Sequence, residues 1–246
     1  MASFNGAKFI GEQLDSILAQ LGPEDEVIVS DDASTDGTAE IVERYGDPRI
    51  RLLRFERDKT GFRVPELVGA NFENALKHAR GEIVFLSDQD DVWVPEKVER
   101  MSAVLRDCTV AVSNAWLMYD EDKRCDRLLY RDRIPLRNYF LRRGKYYGCC
   151  MAFRGEMLPY LLPFPRRMPL HDSWIGLVSE LMGRACYIPE PLIYHRIHGT
   201  NTSENHHFSL RYKISYRLRL LFDIYRRVLR CKLWKRGSTC GGSCPN

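Results

Sequence analysis

Asp88, Gln89, Asp90 and Asp91 follow directly on the apolar run IVFLS (83–87) and lead into Val92, Trp93 and Pro95. Three carboxylates crowded at the end of a buried strand repel one another unless a cation or a positive ligand shares the site. An acidic surface loop is the plainer alternative, but such loops are not usually preceded by IVFLS and followed by tryptophan. The expected partner is a hard dication, Mn2+ or Mg2+, which takes oxygen donors and bridges to substrate phosphates. A second acidic pair, Asp31-Asp32, ends another apolar run, EVIVSD (26–31).

The elements that must position these groups follow from apolar spacing. Ile10, Leu14, Ile17, Leu18 and Leu21 share a helical face, stopped by Gly22-Pro23. The run 26–31 reads as a buried strand, and Ser34 or Thr35 as the cap of a helix carrying Ile41, Val42 and Tyr45. A strand over 49–55, a helix over 66–79 and a strand over 82–87 come next. Pro95 opens a helix reaching about Asp107, and a strand follows over 109–117. Such alternation implies an α/β fold with a mainly parallel central sheet flanked by helices. In sheets of this kind ligands bind beyond the carboxyl ends of the strands. Both acidic clusters sit at such ends and are expected to face one crevice. Only Ser3, Phe4, Asn5 and Gly6 remain of a turn after a first strand, so that strand is expected to be truncated and the centre of the sheet compromised.

The chain has 246 residues, 44% of them hydrophobic, enough for one substantial core or two fused lobes. No internal repeat is visible and no apolar run is long enough to span a membrane. Met1 runs straight into ASFNGAKF, from which no secretory leader is expected. The eight cysteines show no disulfide framework, and reduced thiols in a cytoplasmic protein are the expectation. The net charge of +4 is uneven, because ten Lys or Arg face Asp223 alone within 211–236.

In their order and spacing, ASFNG, SDDASTDGT, NFENALKHARGEIVFLSDQDDVW, GCCMAFRGEML, HDSW and HRIHGTNTS resemble the family 2 glycosyltransferases of the GT-A fold. The resemblance covers residues 1 to about 203, and the DQDDVW form is similar to bacterial enzymes assigned as rhamnosyltransferases. It implies an inverting, metal-dependent transfer of a sugar, with dTDP-rhamnose the leading donor, to a glycan or lipid-linked acceptor in cell-surface polysaccharide synthesis. Residues 1–115 would bind the nucleotide sugar, 116–204 would form the acceptor and catalytic part, and 205–246 a basic amphipathic helix and disordered tail. Carried over by position, Ser3, Phe4 and Asp31 or Asp32 meet the nucleotide. Asp90 is the direct metal ligand. Asp88 faces the ribose or the metal's waters, and Asp91 supports the turn. Asp172 is the catalytic base, its alternative role being a helix cap. Gly148, His171 and Trp174 lie on the acceptor side, although Trp93 and Trp174 could equally be core. Arg196 and His198, two apart on a strand-like edge, point the same way and would grip diphosphate or complete the metal shell.

The chemistry agrees with the analogy. Glycosyl transfer needs a stabilised diphosphate leaving group and a base for the acceptor hydroxyl. Residues 210–236 place Leu210, Ile214, Leu218, Leu221, Phe222, Tyr225, Val228, Leu229 and Leu233 at helical spacing among basic residues. This reads either as contact with anionic membrane at the inner face of the cell membrane or as packing on the chain's own domain. No nucleic acid partner is expected. A metal-dependent nucleotidyltransferase or phosphohydrolase is the alternative enzyme, and an inactive membrane-binding module the alternative without chemistry. Neither a phosphate loop of the G-x-x-x-x-G-K type nor a paired-histidine motif is present to support the former.

Overall fold

The structure, a computed structural model, describes residues 1–119, 124–128, 146–168, 170–198 and 210–237. The first half is a three-stranded parallel sheet of β1 (Ala2–Ser3), β2 (Val27–Asp31) and β3 (Ile50–Arg54), in the order β1-β2-β3. Every residue of β2 is buried, as expected of a strand covered on both faces. Helices α1 (Ile10–Leu18), α2 (Thr38–Arg44) and α3 (Val64–Leu76) follow the three strands. The first of these stops at Leu18 rather than Leu21. There Gln20 N bonds Ile17 O and Leu21 N bonds Leu18 O, a tightened last turn ahead of Gly22-Pro23. Gly37, at φ 90°, precedes α2, and Asp36 rather than Ser34 or Thr35 accepts from Thr38 N. The expected caps are displaced because Ser34 is spent on Asp31.

The second sheet runs β4 (Ile83–Phe85), β8 (Met151–Arg154), β6 (Val110–Tyr119), β9 (Ala185–Ile197), β5 (Val92–Trp93), with β7 (Arg124–Leu128) beside β6. Here only β6 and β9 pair in parallel, while β4–β8, β6–β8, β5–β9 and β6–β7 are antiparallel. The parallel regime therefore holds for the first three strands, and the later sheet is mixed. Its antiparallel neighbours need no helical crossover, so the strand-helix alternation read upstream stops. Ala2 N donates to Ser87 O at 3.3 Å, joining the two sheets between β1 and the end of β4.

That joint is short, as expected. β1 pairs with β2 only at Ala2↔Ser30 and Ser3↔Asp31. Beside Val27 and Ile28 lies a cavity of about 690 Å³ lined by Phe72, Leu76, Val84 and Leu86 among others.

Cys108 and Cys186 are disulfide-bonded, with Cα atoms 6.1 Å apart. This corrects the all-thiol expectation: the parallel register of β6 on β9 brings the two together. Cys149, Cys150 and Cys231 are buried outside this disulfide. The cysteines Cys240 and Cys244, and the stretch Gly199 to Ser203, lie outside the described residues.

The two roles weighed for the carboxy-terminal helix both have a counterpart. One face of α7 (Leu210–Gly237) buries Leu220, Ile224 and Cys231 against the body, and Arg227 donates to the carbonyls of Tyr160, Leu162 and Pro163 at 2.7–3.1 Å. The other face leaves Ile214, Leu218, Phe222, Tyr225, Leu229 and Leu233 between 44% and 64% exposed. Among the described residues no helix is long and apolar enough to cross a membrane.

Trp174 of α6 (His171–Met182) has no exposed surface, and its Nε1 donates to Leu161 O at 3.0 Å. Trp93 is also buried. The acceptor-side reading of Trp174 is thus corrected to a core role, because a fully enclosed ring presents no face to a sugar. Trp174→Ala should lower unfolding free energy by about 3–5 kcal/mol in urea denaturation. A change under about 1 kcal/mol would show that the ring is not part of the core.

Candidate active site

The first wall of the crevice is built where β1 and β2 end. Asp31, nearly fully buried, accepts from Ser3 Oγ (2.9 Å), Ser34 Oγ (2.6 Å) and Ser34 N (2.9 Å). Its carboxylate is consumed in shaping the loop, whose Ala33 holds φ 55°, a left-handed conformation costly for a residue with a Cβ. Asp32 is held differently: Arg57 Nε and Nη2 donate to its two oxygens at 3.2 and 3.0 Å, and Lys59 Nζ lies 3.4 Å from Oδ1. Lys59 also stands 4.7 Å over the ring of Phe4, which is about half exposed. Gln89 fastens this rim to the other wall, accepting from Phe4 N at 2.8 Å and donating to Phe4 O at 3.0 Å.

The second wall is the loop from β4 to β5. Asp91 turns inward and is fully buried, where its Oδ1 meets His195 Nδ1 at 2.9 Å and accepts from Arg196 N at 3.0 Å. Burial would raise its pKa, but the charge and hydrogen bond of His195 hold it below the usual range. His195 responds in kind: burial works against its charge, yet Asp91 beside it carries its pKa well above that of free imidazole. Asp91 thus supports the turn. Asp90 stays nearer the crevice, with Oδ2 2.9 Å from His198 Nε2, while its carbonyl accepts from Arg196 Nε at 2.9 Å.

Arg196 and His198 do share a side, as the alternation of β9 requires: the guanidinium lies 4.9 Å over the ring of Phe9 and the imidazole stacks on it at 4.7 Å. The phosphate role expected of Arg196 is nevertheless corrected. The residue is 2% exposed and is drawn off to Asp90 O and to Glu12 Oε2, at 2.6 Å, so that it braces the acidic loop.

Asp88 sits between the walls, and burial, then the charges of Asp91 and Asp90, push its pKa up to about 8. The charge of Asp172 adds the smallest part of that rise. Asp172 lies in the first turn of α6, whose N-cap is Leu170, and its Oδ1 accepts from Ser173 N at 2.6 Å. Burial raises its pKa to about 6. His171 stacks on Phe72 at 4.2 Å and is kept neutral by burial, its pKa falling to about 4. Its buried Nε2 has no hydrogen-bond partner among the described residues and would lie 3.2 Å from a Cβ at position 148, so Gly148 leaves that nitrogen its space.

Most of the expected residues are therefore placed around one crevice: Ser3, Phe4, Asp31 and Asp32 on one wall, Asp88, Asp90 and His198 on the other, and Gly148, His171 and Asp172 at the amino end of α6. Reading the sequence missed Arg57, Lys59, Gln89 and Glu12. For the first two a signal existed, since RDK follows the end of β3 as a cationic run on the crevice side. Glu12 shows none, because a first-turn glutamate on a helix is commonplace.

Among the described residues, one group of three donors lies within 4.8 Å, and it is Asp91, Cys149 and His195 rather than Asp88, Asp90 and His198. The expected trio does not close a protein-only shell. A hard dication held by one or two carboxylates leaves its other positions to phosphate and water, and the burial and crowding that raise the pKa of Asp88 fit a site completed by positive charge.

The family model described as glycosyl transferase family 2 matches residues 1–158. The teichuronic acid biosynthesis glycosyltransferase TuaG of Bacillus subtilis, itself named putative, is 30% identical over 82% of this chain and 79% of its own length. The dTDP-rhamnosyl transferase RfbG of Shigella flexneri is 26% identical over 87% and 77% of the two chains. Among solved structures, S. aureus TarS with UDP-GlcNAc superposes with a TM-score of 0.64 at 20% identity, covering 85% of this chain. The mannosyltransferase PcManGT of Pyrobaculum calidifontis, solved with GDP-Man and Mn2+, gives 0.58 at 26% identity over 81% of this chain. The chain spans 60% and 56% of those two structures, and 64% of an uncharacterized glycosyltransferase of Nostoc sp. that is 26% identical to it.

Asp88 in the folded, metal-free chain holds a proton that its unfolded form, with a pKa near 3.8, has released over the window up to about 8. Stability should therefore fall as pH rises through that window. In EDTA-treated protein, Asp88→Asn should flatten the decline in melting temperature between pH 4 and pH 8. An unchanged slope would place the proton elsewhere.

Proposed function

Because the chain belongs to glycosyltransferase family 2, we propose that it transfers a sugar, with inversion, from a nucleotide-diphosphate donor to a glycan or lipid-linked acceptor in cell-surface polysaccharide synthesis. The observation that carries the reading is the joining of the two strand-end walls, where Gln89 of the acidic loop bonds Phe4 N and O and Asp90 stands beside His198. Phe4 offers its half-exposed ring to the base, with Lys59 beside it and Asp32 held in place by Arg57. Asp31, its oxygens taken by Ser3 and Ser34, shapes the pocket rather than reaching the base. Asp90, with Asp88 and His198, would hold Mn2+ or Mg2+ against the diphosphate, and that ion supplies charge stabilisation to the leaving group.

Asp172 takes the acceptor hydroxyl's proton as the acceptor oxygen bonds the anomeric carbon and the carbon–diphosphate bond breaks. A base whose pKa is about 6 is ionised at neutral pH yet basic enough to accept that proton. The neutral His171 beside Gly148 lines the acceptor approach with an unpartnered nitrogen. Water as acceptor, the phosphohydrolase reading, leaves that arrangement without a role.

The leading donor is dTDP-rhamnose, supported by the DQDDVW form and by the likeness to RfbG. Mn2+ is supported by the PcManGT complex. The exposed apolar stripe of α7 carries the exposed cations Arg217, Arg226, Arg230 and Lys232 along its flanks. That pairing of apolar surface with positive charge fits an anionic bilayer, as at the inner face of the cell membrane, at about 1 kcal/mol per basic residue.

A thermal-shift screen of nucleotide sugars should show stabilisation by one donor that requires Mn2+ and is lost in Asp90→Ala. No response to any donor or nucleoside diphosphate with metal would sink the reading. Asp172→Asn should keep donor binding and lower transfer by at least about a hundredfold, and the wild-type rate should rise with pH through about 6. Wild type should float with anionic liposomes, whereas Leu218→Glu with Phe222→Glu should not. Equal flotation of the two would remove the membrane contact.

A further inference from the structure

Behind the crevice, Asp91, Cys149 and His195 come together from three separate segments: the β4–β5 loop, the turn Gly148–Cys150 and β9. We propose that these three side chains form a buried transition-metal site of the zinc type, separate from the Asp90 site.

The spacing of the donor atoms is the first reason. His195 Nδ1 is 2.9 Å from Asp91 Oδ1 and 3.7 Å from Cys149 Sγ, and all three atoms fall within 4.8 Å. Zinc bonds of about 2.0–2.3 Å in a tetrahedron put neighbouring N, O and S donors about 3.3–3.6 Å apart. Shifts of a few tenths of an ångström bring both His195 distances into that range. Cys150 Sγ, 3.9 Å from Cys149 Sγ, is the sulfur in place to serve as a fourth donor, since two zinc-bound thiolates stand about 3.8 Å apart.

Two further observations point to a ligand. Asp91 has no exposed surface, yet its Oδ2 has no hydrogen-bond partner among the described residues. Such an atom costs free energy that coordination would offset. Lys97 is also fully buried, its Nζ donates to Cys149 O at 2.9 Å, and among the described residues no carboxylate makes ion-pair contact with it. A buried ammonium needs compensating negative charge. Zn2+ with the carboxylate of Asp91 and the thiolates of Cys149 and Cys150 carries one net negative charge, which Lys97 balances. On binding, each thiol loses its proton to solvent and Nδ1 of His195 exchanges a proton for the metal, with no change of oxidation state.

The donor set also separates this site from the crevice. Thiolate and imidazole select zinc-like ions, whereas the carboxylates at Asp88 and Asp90 suit Mn2+ or Mg2+. Its position gives it a structural task, because Asp91 adjoins Asp90 and His195 adjoins Arg196, so a metal here would pin the acidic loop to β9.

The test is elemental analysis of the full chain, produced in zinc-supplemented medium and dialysed against EDTA. One zinc per chain is expected in wild type and in Asp90→Ala, and less than about a tenth of that in Cys149→Ser. Absence of zinc from wild type, or its retention in Cys149→Ser, would overturn the proposal. If Cys149→Ser does not fold, wild type alone decides. Cobalt loading should produce a thiolate-to-metal charge-transfer band, and an organomercurial should release stoichiometric zinc to a chromogenic chelator. Lack of the band or of the release refutes the site.

Discussion

The buried carboxylate of Asp91 is the point on which both sides of the crevice depend. It receives the ring N–H of His195 and the backbone N–H of Arg196 from β9, although more than a hundred positions separate donors and acceptor. A carboxylate without exposed surface survives only if paired, and the pair that forms shifts both pKa values toward the charged forms. From this clamp the rest follows. Asp90 is presented to His198, Arg196 is free to brace the loop from behind, and Asp88 is left as the crowded carboxyl at the floor.

Four carboxylates thus divide their roles by environment rather than by type. Asp31 is exhausted by three hydrogen bonds and Oδ1 of Asp91 by an ion pair, so neither is presented to a ligand in the crevice. Asp88 and Asp172 lack such partners in sufficient number, and burial raises both. A group held away from its ordinary pKa by its surroundings responds strongly to an arriving cation or proton, which is the property a transferase site needs.

The carboxy-terminal helix shows the same economy of surface. Arg227 anchors one face by capping three carbonyls around α5 (Leu158–Leu161), while the apolar residues on the other face stay in solvent. An apolar stripe on a surface helix is usually covered by something. Here exposed cations flank the stripe.

Much of this was legible along the chain, because strand ends and helix faces are written in local patterning. The runs EVIVSD and IVFLS, closed by aspartates, determined that two acidic clusters lie at strand ends, and the six ordered motifs determined the family. The alternating pattern also settled that Arg196 and His198 point one way. What tertiary structure alone decided is which charge meets which. Arg196 was expected at a phosphate and is instead claimed by Asp90 O and Glu12, Trp174 is core, and Cys108 finds Cys186. The antiparallel β4–β8 and β5–β9 pairings were equally invisible. The reason is physical: periodicity is a property of neighbours along one segment, whereas an ion pair or a strand partner is chosen by competition among groups brought together from distant segments. Burial then decides that competition, by making every unpaired charge too costly to keep.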